Sequence, residues 1–316
     1  MPHATSATLP PGTRNMGASP SFAPLDYGLY AVTVMAWSLS WYALDVQVEV
    51  GTVSVEWSLV WRFAIATVLM FAWVALRGER MRFAAGTHIV FALMGVCIFS
   101  MNFNLFYYAS AYLVSGLLSV VFSLASVFNI AITFVLTRER PMPAVLSGAL
   151  LGFTGIALMF APTLATQAGA FDASAAFGLA LCVMGTLLFC TGNQLSARLQ
   201  RAKVPVIPAS AWGMLYGTLA SAALALAKGQ LPTFDLSAPF LLSLVWLAVV
   251  STVIAFAAYL TLIGRIGAGR AGYATVIFPI FALVVSTVLE GYEWGWMAVL
   301  GLVLVLMGNV FVIRGR

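Results

Sequence analysis

Ten apolar segments that contain no Asp or Glu follow one another along the chain, and they restrict its fold more than any other feature. Only 8% of the 316 residues are charged, against about 25% in soluble domains. A transmembrane helix needs about 20 predominantly apolar residues, so each segment can span a bilayer. We therefore predict an all-α polytopic membrane protein with ten transmembrane helices. The predicted spans are residues 27–44, 57–76, 89–110, 113–136, 144–161, 175–196, 209–227, 239–263, 271–289 and 295–313.

The charged residues between these spans are sorted by side. If both termini are cytoplasmic, thirteen of the fifteen Lys and Arg residues lie on the cytoplasmic side, as in membrane proteins generally. Seven of the ten acidic residues lie on the opposite side. We therefore expect a multi-pass protein of the cell inner membrane with both termini in the cytoplasm. The net charge of +5 then orients the chain in the lipid bilayer, and nucleic-acid binding has no support.

The two halves of the chain resemble each other. At an offset of 153 residues Gly148 meets Gly301, Gly155 meets Gly308, and Phe128 meets Phe281. Each copy holds five predicted spans, and because five is odd the second copy enters the membrane from the other side. We predict a disordered cytoplasmic tail (1–26), a first five-helix repeat (27–161) and a second, inverted repeat (175–313) around a central cavity. Inverted repeats are characteristic of secondary transporters, whose substrate site lies between the halves.

These segments resemble the drug/metabolite transporter superfamily in its ten-helix EamA form. The resemblance lies in residues 134–140 with the following Gly148 and Gly155 helix, and in 278–281, 289–293 and the Gly301 and Gly308 helix. It implies an inverted five-plus-five fold and export of metabolites, with amino-acid exporters as one branch. Arg62 is similar to an arginine that this family often has early in the second span. One difference is Ser126, where the family often has a proline.

The spans lack the chemistry of several other transporters and of enzymes. No membrane-embedded carboxylate is present to exchange a cationic drug for protons, and an organic cation would have no counter-charge in the bilayer. Neutral or zwitterionic substrates fit better. An integral-membrane enzyme would need an intramembrane acid, histidine or metal cluster, and the spans supply none, so we expect no catalytic activity.

Arg62 is the only charged side chain within a predicted span. One interpretation is that its guanidinium holds a substrate carboxylate or closes an outer gate. The alternative is that it extends to the outer interface or bonds carbonyls of a neighbouring helix.

Polar and aromatic side chains at helical spacing are the other candidates for a substrate cavity. Ser100, Asn104 and either Tyr107 or Tyr108 share one face of the third span. Unpaired amides are costly in hydrocarbon, so this face should meet water or polar groups. Interhelical hydrogen bonds and core packing are the structural alternatives. The full candidate set is Trp37, Ser38, Trp41, Arg62, Ser100, Asn104, Tyr107, Tyr108, Asn193, Trp212 and Tyr259.

Pro279 is the only proline deep in a span. It must kink the ninth span because it removes a backbone hydrogen bond, and we predict that it is the hinge for alternating access. Small residues in other spans, Gly148 among them, indicate close helix packing. Because Gly148 lies on a helix that the resemblance makes peripheral, contact with lipid or with a second copy stays open as well. A monomer and a homodimer both stay open.

No cofactor or metal is expected. The three cysteines have no metal-ligand spacing, and His88 lies in a predicted connection without catalytic or metal partners. Residues 267–272 match the pattern G-x-G-x-x-G, but they follow an apolar helix where a dinucleotide site needs a strand. We predict a tight cytoplasmic turn there.

Together these features predict a secondary exporter of small neutral or zwitterionic metabolites, with amino acids and especially aromatic ones favoured. Efflux of purines, sugars or drugs is the alternative within transporters. A permease subunit of an ATP-driven system is less well supported, because the inner connections are short and the chain has no P-loop.

Overall fold

The computed structural model describes residues 23–138, 143–164, 172–266 and 274–314, and the regular structure of these residues is entirely helical. The helices are α1 (Pro24–Val50), α2 (Val55–Leu76), α3 (Ala85–Gly95), α4 (Asn102–Ser110), α5 (Ser115–Ser123), α6 (Ala125–Thr137), α7 (Pro143–Leu164), α8 (Ala173–Arg201), α9 (Val206–Ala227), α10 (Ala238–Val245), α11 (Ala255–Ile266), α12 (Ala274–Leu289) and α13 (Trp296–Arg314). Two π-helical segments join helices into continuous rods. They are π1 (Val96–Met101), between α3 and α4, and π2 (Trp246–Ile254), between α10 and α11.

Among the described residues, six helical stretches are long and apolar enough to cross a membrane. They cover residues 55–76, 85–110, 115–136, 173–201, 206–227 and 238–259. Three shorter apolar helices cover 146–162, 274–289 and 296–311. Large apolar side chains such as Leu76 and Val288 are 89% and 74% exposed, which suits a surface in contact with lipid tails and not with water. The chain is therefore a multi-pass membrane protein, while the count of ten spans and the inverted layout stay predictions.

Three sequence-based boundaries are corrected by the structure. Helix α1 begins at Pro24, within the predicted tail. It continues to Val50 instead of ending at residue 44, because the helical backbone hydrogen bonds persist past Asp45, the charged residue that ends the apolar run. The predicted fourth span is interrupted at Leu124, between α5 and α6. Residues 1–22 of the predicted tail and the predicted turn at 267–272 lie outside the described residues.

Helices α7 and α13 pack closely through glycines. A Cβ atom added to Gly155 would lie 2.5 Å from the carbonyl oxygen of Gly301, and one added to Gly308 would lie 2.5 Å from that of Gly148. Only glycine allows two helix backbones to approach so closely. The close helix packing predicted for Gly148 is therefore confirmed, with α13 of the same chain as the neighbouring helix, while contact of α7 with lipid or with a second copy stays untested.

Helix α1 lies at the centre of the bundle. It packs against α4 and α5 of the first half and against α10, π2, α11 and α12 of the second half. The surrounding helices end in two groups of charged residues. We call the end with Arg77 and Arg265 the basic end, and the end with Glu56 and Glu290 the acidic end.

Candidate functional site

Aromatic rings fill the space around the middle of α1. Trp41 lies with its ring centre 5.0 Å from that of Phe106 and 5.5 Å from that of Phe122, and it is stacked on Phe278 at 6.5 Å. Aromatic pairs at these separations attract each other beyond simple burial. We call this group the central aromatic cluster, and its members are Trp37, Trp41, Phe106, Phe122, Tyr259 and Phe278.

Trp37 extends this cluster toward the second half of the chain. Its ring centre is 5.0 Å from that of Tyr259 on α11 and 6.5 Å from that of Phe278 on α12. Both Trp37 and Tyr259 are half-buried. The structure thus brings three of the candidate residues, Trp37, Trp41 and Tyr259, to one apolar centre shared by the two halves.

Arg62 is buried inside the bundle. Its side chain is on α2, and the residue is only 4% exposed. One guanidinium nitrogen lies 3.4 Å from the Thr252 hydroxyl of π2, and the guanidinium lies over the rings of Phe63 and Phe103 at 5.0 and 4.4 Å. The alternative in which Arg62 extends to the outer interface is wrong for this conformation, because aromatic rings and π2 enclose the side chain.

Tyr107 connects the surroundings of Arg62 to α1. The tyrosine is fully buried, and its hydroxyl donates a hydrogen bond of 2.7 Å to the Oε1 atom of Gln47. The same hydroxyl approaches the Arg62 guanidinium. Arg62, Gln47, Tyr107 and Thr252 therefore form one buried polar group, which we call the Arg62 cluster. Its members come from α1, α2, α4 and π2.

The Arg62 cluster lacks a negative charge. Among the described residues only two ion pairs occur, Glu56–Lys228 and Asp26–Arg265, and neither includes Arg62. The Nε atom of Arg62 and the Nε2 atom of Gln47 are buried donors without a hydrogen-bond partner. A buried charge without compensation costs several kcal/mol, and unpaired buried donors add to that cost. The Arg62 cluster can therefore bind an anionic group, which would accept hydrogen bonds from Arg62 Nε and Gln47 Nε2.

Ser100 and Asn104 face a different neighbour. The Ser100 hydroxyl lies 2.9 Å from that of Ser221 on α9, and the Asn104 side chain donates to the Ser100 carbonyl at 3.1 Å. The Oδ1 atom of Asn104 is buried without a partner, as is that of Asn102 one residue beyond π1. Both asparagines follow π1, where the helical hydrogen-bond ladder is irregular, and such segments are frequent at functional sites.

Tyr108 lies apart from Tyr107, at the acidic end. Its hydroxyl hydrogen-bonds the carboxylate of Glu56 and lies 2.6 Å from the Lys228 ammonium. Lys228 also pairs with Glu56 at 2.6 Å, and this ion pair joins α2 to the end of α9. The hydrogen bonds that Lys228 donates to Glu56 and Tyr108 raise the pKa of Lys228 above its ordinary value.

The basic end has an ion pair of its own. Arg265 on α11 pairs with Asp26 in the first turn of α1, and Asp26 is 4% exposed. Each end of the bundle is thus closed by one ion pair between the two halves of the chain, among the residues that the structure describes.

Trp212 also lies at the basic end. Its indole nitrogen donates a hydrogen bond of 3.1 Å to the Met81 carbonyl, and its ring centre lies 4.6 Å from that of His88. His88 is within α3 and not in a connection, because α3 begins four residues earlier than the predicted span. Its Nδ1 atom lies 3.0 Å from the hydroxyl of Tyr216.

Three further candidates have separate positions. Ser38 is buried and donates to the Phe278 carbonyl at 2.9 Å, directly before Pro279 in α12. Pro279 is buried within α12, and the kink and the hinge stay predictions. Asn193 is half-buried on α8.

Sequence reasoning missed Gln47 and Thr252. Gln47 lies beyond the predicted end of the first span, and only the continued helix could have placed it beside Tyr107. Thr252 neighbours Ser251, which corresponds to Ser100 when the two halves of the chain are aligned at an offset of 151 residues, so the internal repeat was a usable signal. Phe106, Phe122 and Phe278 were missed because phenylalanine is common in all membrane helices.

The chain resembles known proteins over most of its length. It matches the model of the EamA-like transporter family over residues 27–161 and again over residues 174–314. A protein of Archaeoglobus fulgidus described as an uncharacterized transporter is 27% identical over 302 residues, which cover 90% of this chain and 98% of that protein. A solved crystal structure that is 16% identical aligns with a TM-score of 0.64 over 90% of this chain and 95% of that chain. The crystal structure is similar in fold.

Proposed function

The chain belongs to the EamA-like transporter family, and on this premise we propose that it is a secondary transporter that exports amino acids, including aromatic ones, across the cell inner membrane. It works by alternating access, with the basic end in the cytoplasm. The substrate is zwitterionic, and its carboxylate binds at the Arg62 cluster. Arg62 is a substrate-binding residue in this proposal.

The observation that carries the proposal is the buried, uncompensated charge of Arg62. The described part of the chain offers this guanidinium no carboxylate, and its own Nε atom and the Nε2 atom of Gln47 are donors without a hydrogen-bond partner. A substrate carboxylate would neutralise the guanidinium and accept hydrogen bonds from Arg62 Nε and Gln47 Nε2. Charge-assisted hydrogen bonds of this kind contribute about 1.5–3 kcal/mol.

The central aromatic cluster supports the choice of aromatic amino acids. Its rings come from helices of both halves and surround α1. Small-molecule sites are mostly apolar, with a few polar groups that fix orientation. A flat side chain could take the place of one ring–ring contact, while the carboxylate is held at the polar group.

The two ion pairs support alternating access. Glu56–Lys228 joins the halves at the acidic end, and Asp26–Arg265 joins them at the basic end. Separation of one pair while the other persists would open one end only. Pro279, beside the carbonyl that Ser38 bonds, is the hinge in this mechanism.

Counterflow in proteoliposomes tests the proposal. Purified protein is reconstituted with an excess of unlabelled phenylalanine inside, and labelled phenylalanine, tryptophan, threonine and lysine are offered outside in turn, without ATP. Uptake of the neutral amino acids above empty liposomes supports the proposal. If folded protein takes up none of them, the amino-acid assignment fails, and labelled purines, sugars and drugs are tried next. Uptake that depends on ATP and a copurified ATPase would indicate the permease alternative.

A further inference from the structure

A cavity lies at the basic end, between α2, α9, π2 and α11. Its volume is about 210 Å³, which is below the roughly 300–1,000 Å³ of pockets for drug-sized ligands. Most of its wall is apolar, and the residues that matter here are Met70, Trp73, Arg77, Val253, Phe256 and Thr261.

One face of α2 connects this cavity with the Arg62 cluster. Arg62, Ala66, Met70, Trp73 and Arg77 follow one another at intervals of four, four, three and four residues, so they lie on the same side of the helix. The fifteen residues from Arg62 to Arg77 correspond to about 22 Å of helix rise. Two arginines therefore lie on one helix face, one buried in the bundle and one exposed at the cavity.

The wall of the cavity that faces α2, formed by π2 and α11, also extends from the cavity to the Arg62 cluster. Thr252 contacts Arg62, and the next residue of π2, Val253, lines the cavity. Phe256 and Thr261 of α11 extend this wall toward the basic end. The seam between α2 and the π2–α11 rod thus runs from the cavity to the Arg62 cluster.

Arg77 supplies a positive charge at the cavity that can bind a carboxylate. The guanidinium is exposed and lies 6.0 Å from the centre of the Trp73 ring. No ion pair of the described residues includes Arg77. Arginine that stacks on an aromatic ring can still bind a carboxylate through its free donors.

We propose that this cavity is the cytoplasmic entry site, in which Arg77 captures the carboxylate of the substrate and Trp73 and Phe256 receive its apolar side chain. The substrate then passes along the α2 seam to Arg62. This inference rests on the proposed function, and it adds a site that determines substrate preference on one face of the membrane only.

Sided transport kinetics test the entry site. Labelled phenylalanine is supplied to the basic end or to the acidic end, in inside-out and right-side-out membrane vesicles. The change Arg77→Gln should raise the KM from the basic end about 10-fold, as expected for one charge-assisted hydrogen bond, and leave the KM from the acidic end unchanged.

Arg80→Gln is the matched control. Arg80 is an exposed arginine three residues away, but it lies over Phe83 at 5.3 Å and donates to the Arg82 carbonyl at 2.6 Å, outside the cavity. The Arg80→Gln variant should have the same KM for phenylalanine as the wild type, from the basic end and from the acidic end. If Arg77→Gln and Arg80→Gln behave alike while the wild type transports phenylalanine, the entry site is refuted and the proposed function stands. If the wild type transports no amino acid from either end, the proposed function itself fails.

A labelling experiment distinguishes the substrate from lipid as the occupant. Thr261→Cys places a thiol on the cavity wall. The protein without this change, in which Cys97 is half-buried and Cys182 and Cys190 are buried, gives the background labelling. Phenylalanine should protect this thiol from an impermeant anionic reagent, and Arg77→Gln should remove the protection. Protection by phosphatidylglycerol vesicles but not by phenylalanine would assign the cavity to an anionic phospholipid and overturn the inference.

Discussion

Replacement of Gly155 by Ala should destabilise the protein, because α7 and α13 leave no room for a methyl group there. The new Cβ atom would lie 2.5 Å from the Gly301 carbonyl oxygen and 2.8 Å from the Val305 nitrogen. Close carbon–oxygen contacts in proteins are about 3.3–3.6 Å. The two helices would therefore have to separate by roughly 0.8 Å.

The expected cost follows from these contacts. Overpacking of a well-packed core costs about 1–3 kcal/mol, and the upper part of that range applies because both neighbours are backbone atoms that cannot rotate away. Alanine regains about 1 kcal/mol through its better helix propensity. The net loss is about 2 kcal/mol, or a fall in the unfolding midpoint of roughly 5 °C.

Gly28→Ala is the matched control for this change. Gly28 also lies in a helix, but a Cβ atom there would have nothing within 4 Å, so alanine should leave stability unchanged or raise it. Thermal unfolding of the detergent-solubilised variants measures both effects. Equal midpoints for Gly155→Ala and Gly28→Ala would show that the α7 and α13 backbones are not in contact, and would refute the close packing.

Two further changes test the charged groups at the acidic side of the chain. Lys228→Met leaves the buried carboxylate of Glu56 without its cation and should cost about 2 kcal/mol, less than for a fully buried pair because Lys228 is 43% exposed. Since the pKa of Lys228 is raised, its contribution is full below about pH 10.5 and is lost at higher pH. The difference in unfolding midpoint between the wild type and Lys228→Met should therefore stay constant from about pH 7 to about pH 10 and shrink only above pH 10.5, and a difference that does not shrink there would contradict the ion pair. Asp172 caps α8 by accepting hydrogen bonds from the backbone nitrogens of Ser174 and Ala175. The hydrogen bond from the Ser174 side chain is the main cause that lowers the pKa of Asp172. The stabilisation by the cap is therefore present above the ordinary pKa of 3.8 and is lost as the pH falls further. Asp172→Ala should lower the midpoint at pH 7 and have little effect at pH 2, and an equal effect at both would rule out the charged cap.

The helical rods could be predicted from the sequence because apolar runs with sparse charge have few alternatives in a bilayer. The ends of the rods could not. The apolar run of α1 stops at Asp45, yet its backbone hydrogen bonds continue to Val50, and the last turns bring Gln47 to Tyr107. A hydropathy pattern reflects only how well side chains are solvated, so it does not show that the backbone hydrogen bonds of a helix continue past the apolar run.

The candidate site was only partly predictable for a related reason. Tyr107 and Tyr108 are adjacent, so they point about 100° apart on the helix, and the sequence alone does not say which one faces inward. The structure places Tyr107 beside Gln47 and Tyr108 beside Glu56. Arg62 was identifiable as a rare intramembrane charge, but its burial depends on π2, and nothing in the sequence signals a π-helical segment.

The most direct test of the central claim compares two ligands that differ only in the carboxylate. Phenylalanine and phenylalaninamide compete against labelled phenylalanine for counterflow by the wild type and by Arg62→Gln, after unfolding midpoints confirm that both proteins are folded. The wild type should prefer the carboxylate about 10- to 100-fold, from the strength of charge-assisted hydrogen bonds, and Arg62→Gln should lose that preference even where its residual transport is slow. Equal inhibition of the wild type by both ligands, or a preference that survives in Arg62→Gln, would contradict a carboxylate site at Arg62.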